Sequence, residues 1–307
     1  MPPEGDSATR CGVVALVGAP NAGKSTLVNA LVGTKVAIVS PRAQTTRRRL
    51  TGIAIAGPAQ LLMVDTPGIF TPRRRLDRAM VGEAWEGVAD ADIVLLIVDA
   101  AKGLSDQVRA LVEGLSGSPG AERRPHWLVL NKIDLLPRDR LLPLAAELNA
   151  AFPFAETLMI SASGGDGVAD LGKRLAAAVP EGPWLFPEDR VSDAVTSIAL
   201  AELTREQLYL QLREELPYAA AVEPERVAER PDGSLEVHQR ILVDRDSQKA
   251  IVVGKGGTRV KAIGEAARRE MEQAMGGRVH LFLTVKAKPG WADDRNVWRD
   301  IGLAWVD

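Results

Sequence analysis

The chain has 307 residues, 46% of them apolar and 25% charged, with a formal net charge of −2, the profile of a soluble globular protein of about two domains. That balance gives no global attraction to nucleic acid, so any basic surface must be local. One cysteine, Cys11, excludes an intrachain disulfide and a cysteine-built zinc site, and His126, His238 and His280 lack metal-ligand spacing. The longest strand-like apolar run, residues 93–98, is too short to span a bilayer. Residues 1–6 have neither the basic start nor the apolar stretch of a secretory signal, so the cytoplasm is the expected compartment.

From residue 11 to about 180, short apolar runs alternate with amphipathic or turn-rich stretches. The runs at 13–17, 60–64, 93–98, 127–130 and 158–160 read as strands covered on both faces, as in a largely parallel α/β sheet. Ligands in such sheets bind at the carboxyl ends of the strands. Gly18, Asp65, Asp99, Asn131 and Ser161 fall at or just past those ends. Residues 180–187 hold three prolines and predict an extended linker. Beyond it, 192–216 has helical periodicity, with Ser192 or Asp193 as N-cap. Residues 218–222 and 235–243 read as strands around a turn at 231–233, 258–271 as a helix and 279–286 as a strand.

The first strand leads into Gly18-Ala-Pro-Asn-Ala-Gly-Lys-Ser25, which fits G-x-x-x-x-G-K-[ST]. Gly18 and Gly23 permit backbone geometry that aims successive N–H groups, that of Ala22 included, at one anion. Lys24 reaches the β- and γ-phosphates, the Ser25 hydroxyl can ligate Mg²⁺, and a helix opening at Lys24 and Thr26 adds its positive end. A chance glycine loop is the bland alternative; the strand before it and the helix after it argue against that.

Asn131-Lys-Ile-Asp134 follows the run at 127–130 and predicts guanine recognition. The Asp134 carboxylate can accept from guanine N1–H and the exocyclic amine, a pair adenine lacks. Asn131 can bond on the N7/O6 side, the Lys132 stem can cover the base, and Ser161-Ala162-Ser163 can offer a backbone N–H to O6. Asp65-Thr-Pro-Gly68 supplies a carboxylate of the type that holds Mg²⁺ through water, and a glycine N–H for the γ-phosphate. A hydroxyl between these motifs must complete the Mg²⁺ shell; Thr46 is the first choice and Thr45 the second. Arg47, Arg48 and Arg49 are either a solvated loop or direct participants.

Ile69 stands where many GTP-hydrolysing switches place a water-orienting glutamine. Isoleucine cannot orient water, so hydrolysis must recruit another group. Asn21 is the candidate, its amide oxygen helping to hold K⁺ beside the β- and γ-phosphates.

Gly254-Lys-Gly-Gly257 fits the G-x-x-G loop with which KH domains clamp a nucleic-acid backbone. The pattern recurs elsewhere in this chain; the helical spacing of Val260, Ile263, Ala267 and Met271 singles out this copy. Between Lys249 and Lys288 there are nine Lys or Arg and three acids, a local net of +6, the footprint of phosphate binding. Gly254, Lys255, Gly256, Gly257, Arg259 and Lys261 are the expected RNA contacts. The helix-strand-strand-helix-helix-strand order is compatible with a type II KH domain.

Together with Gln44-Thr-Thr-Arg47, Glu215-Leu-Pro-Tyr218 and Lys288-Pro-Gly-Trp-Ala-Asp-Asp294, the ordered motifs resemble the bacterial Era family of GTPases over nearly the whole chain. The resemblance implies an α/β P-loop GTPase domain over 11–179, a linker at 180–190 and an α+β type II KH domain over 191–307, after a disordered 1–10. It implies a slow, Mg²⁺-dependent GTP/GDP switch that binds small-subunit (16S) ribosomal RNA near its 3′ end during 30S assembly, with no obligate oligomer. Peripheral association with the inner face of the cell membrane is carried by the resemblance alone. Ala22 departs from the larger aliphatic residue usual in the family, but its N–H remains. Two other readings stay open: a GTPase whose second domain docks a protein or membrane, and an ATP-dependent enzyme, against which Asp134 argues.

Overall fold

The computed structural model describes residues 8–42, 45–70, 72, 74–117 and 121–306. It falls into two compact units, Met1–Ala37 with Thr46–Asp193, and Ile38–Thr45 with Ala194–Asp307. Most of the N-terminal segment expected to be disordered lies outside the described residues, and Arg10 already opens the first strand.

The first unit is built on six strands: β1 (Arg10–Gly18), β2 (Leu50–Ala56), β3 (Ala59–Asp65), β4 (Ile93–Asp99), β5 (His126–Asn131) and β6 (Glu156–Met159). Their order is β2-β3-β1-β4-β5-β6; all neighbours are parallel except the β2–β3 pair. Alternate residues of each central strand enter opposite cores. Val14, Leu16, Ile93, Leu95 and Ile97 pack with Leu27 and Val28 of α1 (Lys24–Val32) and with Leu171 and Leu175 of α5 (Val168–Ala178). Ala15, Val17, Val94, Leu96 and Val98 pack with α2 (Arg75–Ala89), α3 (Asp106–Ser116) and α4 (Leu141–Ala151). Burial on both faces explains the unbroken apolar runs. Each buried Val or Leu contributes about 1.5–3 kcal/mol.

Residues 180–190 run within this first unit. The Gln60 side chain accepts from the N–H groups of Leu185 (2.9 Å) and Phe186 (3.0 Å) and donates to the Phe186 carbonyl at 2.8 Å. The Trp184 indole donates to the Pro58 carbonyl at 3.0 Å.

The second unit has α6 (Thr196–Gln211), β7 (Ala220–Glu229), β8 (Leu235–Val243), α7 (Asp246–Val253), α8 (Thr258–Met275), β9 (Val279–Ala287) and α9 (Arg295–Asp300). β8 pairs antiparallel with β7 and parallel with β9. Leu208 of α6 and Ile263 of α8 pack with Val222, Ile241 and Val243 on one sheet face. Trp291 and Val297 cover Ala221 and Leu242. The segment Ile38–Thr45 belongs to this unit through Ile38, buried among Leu200, Leu203, Met271 and Val279. Among the described residues, no helix is long and apolar enough to cross a membrane.

Candidate nucleotide site and nucleic-acid loop

β1 ends at Gly18, and the chain turns through Asn21 (φ 64°) and Gly23 (φ 98°) into α1. Gly23 has two reasons to be glycine: its φ, and the collision a Cβ would make with Asn131 Nδ2. Lys24 is buried, its ammonium donating to the Gly18 and Ala19 carbonyls at 3.1 and 3.3 Å. Burial pulls its pKa down to about 8, against the attraction of Asp65. Ala22 is buried and Thr26 lies in the first turn of α1.

Three oxygens converge beside Lys24. Ser25 Oγ donates to Asp65 Oδ2 at 2.6 Å, Thr46 Oγ1 lies 3.1 Å from the same oxygen, and the two hydroxyls are 3.0 Å apart. Asp65 is buried, which raises its pKa against the pull of Lys24, Ser25 and Thr46. Among the described residues, its Oδ1 is buried without a hydrogen-bond partner. Two hydroxyls and a carboxylate with an orphaned oxygen form a hard-oxygen donor set that fits Mg²⁺. Thr45 faces elsewhere, its hydroxyl 2.8 Å from Ser40 Oγ and donating to the Arg42 carbonyl at 2.9 Å. Arg49 is partly exposed: its guanidinium pairs with Asp90 at 3.0 Å and its backbone N–H donates to Glu83.

Gly68 is buried against Pro20 of the phosphate loop, where a Cβ would come within 3.1 Å of that residue's backbone. Ile69 packs on the second core cluster.

The Asn131 side chain is bound at both ends to protein: Nδ2 donates to the Ala22 carbonyl at 2.8 Å and Oδ1 accepts from the Ala162 N–H at 3.0 Å. Asn131 thus holds the phosphate loop and the 161–162 loop together, with a second Nδ2 hydrogen beyond the one given to Ala22, and Ser161 N–H donates to the Asp166 carbonyl at 3.0 Å. Spacing alone shows nothing of such a bond across 31 residues. Asp134 sits exposed in a single 3₁₀ turn. Lys132 adopts φ 63° and donates to the Asn21 carbonyl and to Asp99, both at 2.7 Å.

In the second unit, α7 ends at Gly254 (φ 73°), and Gly256 (φ 61°) and Gly257 (φ 79°) lead into α8. A Cβ on Gly254 would come within 2.8 Å of Arg259 Cβ, whereas Gly256 and Gly257 face open space. Lys255, Arg259 and Lys261 are exposed beside this loop; Arg259 donates to the Ile251 carbonyl at 2.8 Å, and Lys261 lies 3.9 Å from Glu265. Bases of single-stranded RNA commonly stack on aromatics, and two aromatics of this unit differ in exposure. Trp291 is buried, donating to the Ala219 carbonyl, while Phe282 is half exposed and stacked on His238, ring centroids 4.6 Å apart.

The fold and the first site define the class: a P-loop GTPase joined to a KH domain. A family model described as "50S ribosome-binding GTPase" matches residues 13–132, and a KH-domain model matches 215–292. GTPase Era of Erythrobacter litoralis (strain HTCC2594) is 55% identical over 302 residues, covering 97% of this chain and 98% of that protein. GTPase Era of Afipia carboxidovorans is 53% identical over 303 residues, covering 99% and 97%. An Aquifex aeolicus Era variant bound to GDP and AlF₄⁻ superposes with a TM-score of 0.90 at 37% identity, covering 96% of this chain and 99% of that one. Era in complex with MgGDPNP and nucleotides 1506–1542 of 16S ribosomal RNA matches equally well. The chain belongs to the Era family of GTPases.

Proposed function

We propose that this GTPase hydrolyses GTP to GDP and phosphate as a Mg²⁺-dependent switch that holds small-subunit ribosomal RNA near its 3′ end during 30S assembly. The observation that carries the enzymatic half is the convergence of Ser25, Thr46 and the orphaned Asp65 oxygen beside the buried Lys24 ammonium. Ser25 and Thr46 would hold Mg²⁺ directly and Asp65 through water, and the bound ion would supply charge neutralisation at the phosphates. Lys24 exchanges its two carbonyl partners for phosphate oxygens, joined by the N–H groups of Gly18, Asn21, Ala22, Gly23 and Thr26. Gly68 N–H senses the γ-phosphate. Asp134 accepts from guanine, Lys132 covers the base, and Asn131, Ser161 and Ala162 shape the pocket around O6.

Ile69 packs on the core and offers water nothing. Asn21, in a left-handed turn of the phosphate loop, would help to hold K⁺ beside the phosphates. Hydrolysis is expected to run at least tenfold faster in K⁺ than in Na⁺ at equal ionic strength, a barrier difference of about 1.4 kcal/mol. Equal rates in the two salts contradict the cation role.

In the second unit, the glycine loop with Lys255, Arg259 and Lys261 supports clamping of an RNA backbone. The Era relative solved with 16S nucleotides supports ribosomal RNA as the ligand here. Competition between nucleotides tests the guanine assignment: excess GTP, but not ATP, should displace labelled GDP, and Asp134→Ala should lose at least tenfold in GTP affinity. Equal displacement by ATP contradicts it.

A further inference from the structure

Asp99 closes β4 and lies in register with Asn131, the last residue of β5. Its side chain is only 9% exposed. One oxygen accepts from the Ala101 N–H at 3.1 Å. The other takes the Lys132 ammonium at 2.7 Å, and that same ammonium donates to the Asn21 carbonyl at 2.7 Å. Lys132 and Asn21 are two of the few residues other than glycine with positive φ among the described residues. Non-glycine residues seldom hold such geometry without support from their surroundings, and one cation is bonded to both Asp99 and Asn21. The backbone adds a brace, since Ala100 N–H donates to the Asn131 carbonyl at 2.8 Å.

We infer that Asp99 is a positioning residue for nucleotide binding: through Lys132 it ties the guanine-recognition turn to the backbone of Asn21 in the phosphate loop. Asp99 is set back from the nucleotide contacts assigned above and acts by fixing where the Lys132 stem and the Asn21 peptide lie. The base end and the phosphate end of the site are thereby set by one ion pair. Without the carboxylate, the ammonium loses its anchor and both turns relax away from their left-handed geometry. The inference rests on the guanine reading of residues 131–134.

Fluorescent GDP dissociation and steady-state GTP hydrolysis, measured on the full chain, test it. Asp99→Asn is expected to speed GDP release about tenfold and to raise KM. Lys132→Met is expected to do the same, and the double variant should be no worse than the poorer single one, because both act through one link. Asp99→Glu, which keeps the charge, should recover most of the loss. Two outcomes overturn the inference: a wild-type GDP off-rate in Asp99→Asn, or full additivity of the two losses. Should Asp99→Asn fail to fold, Asp99→Glu combined with Lys132→Met supplies the same comparison. Failure of the guanine reading looks different: the wild-type chain then binds ATP as well as GTP, whatever Asp99 does.

Discussion

The chemistry of the nucleotide site turns on a few residues whose surroundings fix their charge. Lys24 is the clearest, since burial lowers its pKa to about 8. Phosphate oxygens favour the ammonium, so nucleotide binding raises that pKa again. The free protein is mostly protonated at pH 7 and mostly neutral at pH 9, while the bound form stays protonated. Binding of GDP should therefore take up almost no proton at pH 7 and nearly one at pH 9, with affinity falling as pH rises through 8. Calorimetry in buffers of different ionisation enthalpy reads this uptake directly; no uptake at pH 9 contradicts the assignment of Lys24. At this scale, the sequence already displays Lys24, Ser25, Asp65 and Asp134, because phosphate and guanine chemistry demand particular groups at particular spacings. The bonds of Asn131 to Ala22 and Ala162, and of Lys132 to Asp99, join residues 31 to 109 positions apart. Spacing does not encode such pairings.

Elements buried on both faces are the ones a sequence shows best. β1, β3, β4 and β5 are continuous apolar runs and appear in the fold within a few residues of where those runs lie. β2 escapes such reading: Leu-Thr-Gly-Ile-Ala-Ile-Ala contains a glycine and pairs antiparallel at the sheet edge. Its Gly52 is required by packing, for a Cβ there would press 2.7 Å from Val28. α6 begins at Thr196 rather than near Ser192, because the Asp193 carboxylate accepts from the Thr51 N–H instead of capping a helix. This helix also carries a role no periodicity announces. Arg205, 3% exposed, binds the Thr45 carbonyl and the Glu202 carboxylate, and Glu206 accepts from Val39 N–H at 2.9 Å. Burial opposes its charge, yet Glu202 and Tyr209 hold its pKa above the ordinary arginine value. Arg205→Ala strands the Thr45 carbonyl and should cost roughly 1–3 kcal/mol. Urea unfolding followed in the second unit checks this; a wild-type midpoint rules out an anchoring role for Arg205.

Across the whole molecule, one loop is divided between two jobs. Ile38 packs in the C-terminal unit's core, while Thr46, eight residues on, reaches Ser25 and Asp65 in the nucleotide unit. Sequence motifs assign the two domains and their order but cannot show this division, which depends on contacts between segments more than 150 residues apart. A guanine-nucleotide switch and an RNA clamp are proposed to reside in this one chain. The most direct test is fluorescence anisotropy of an oligonucleotide matching the 3′ end of 16S ribosomal RNA, with the protein loaded with a non-hydrolysable GTP analogue. Affinity should fall steeply between 50 and 200 mM salt, on the order of tenfold or more. Gly256→Asp combined with Gly257→Asp should abolish binding while leaving nucleotide affinity unchanged. Undiminished RNA affinity in that variant, or binding insensitive to salt, contradicts the account.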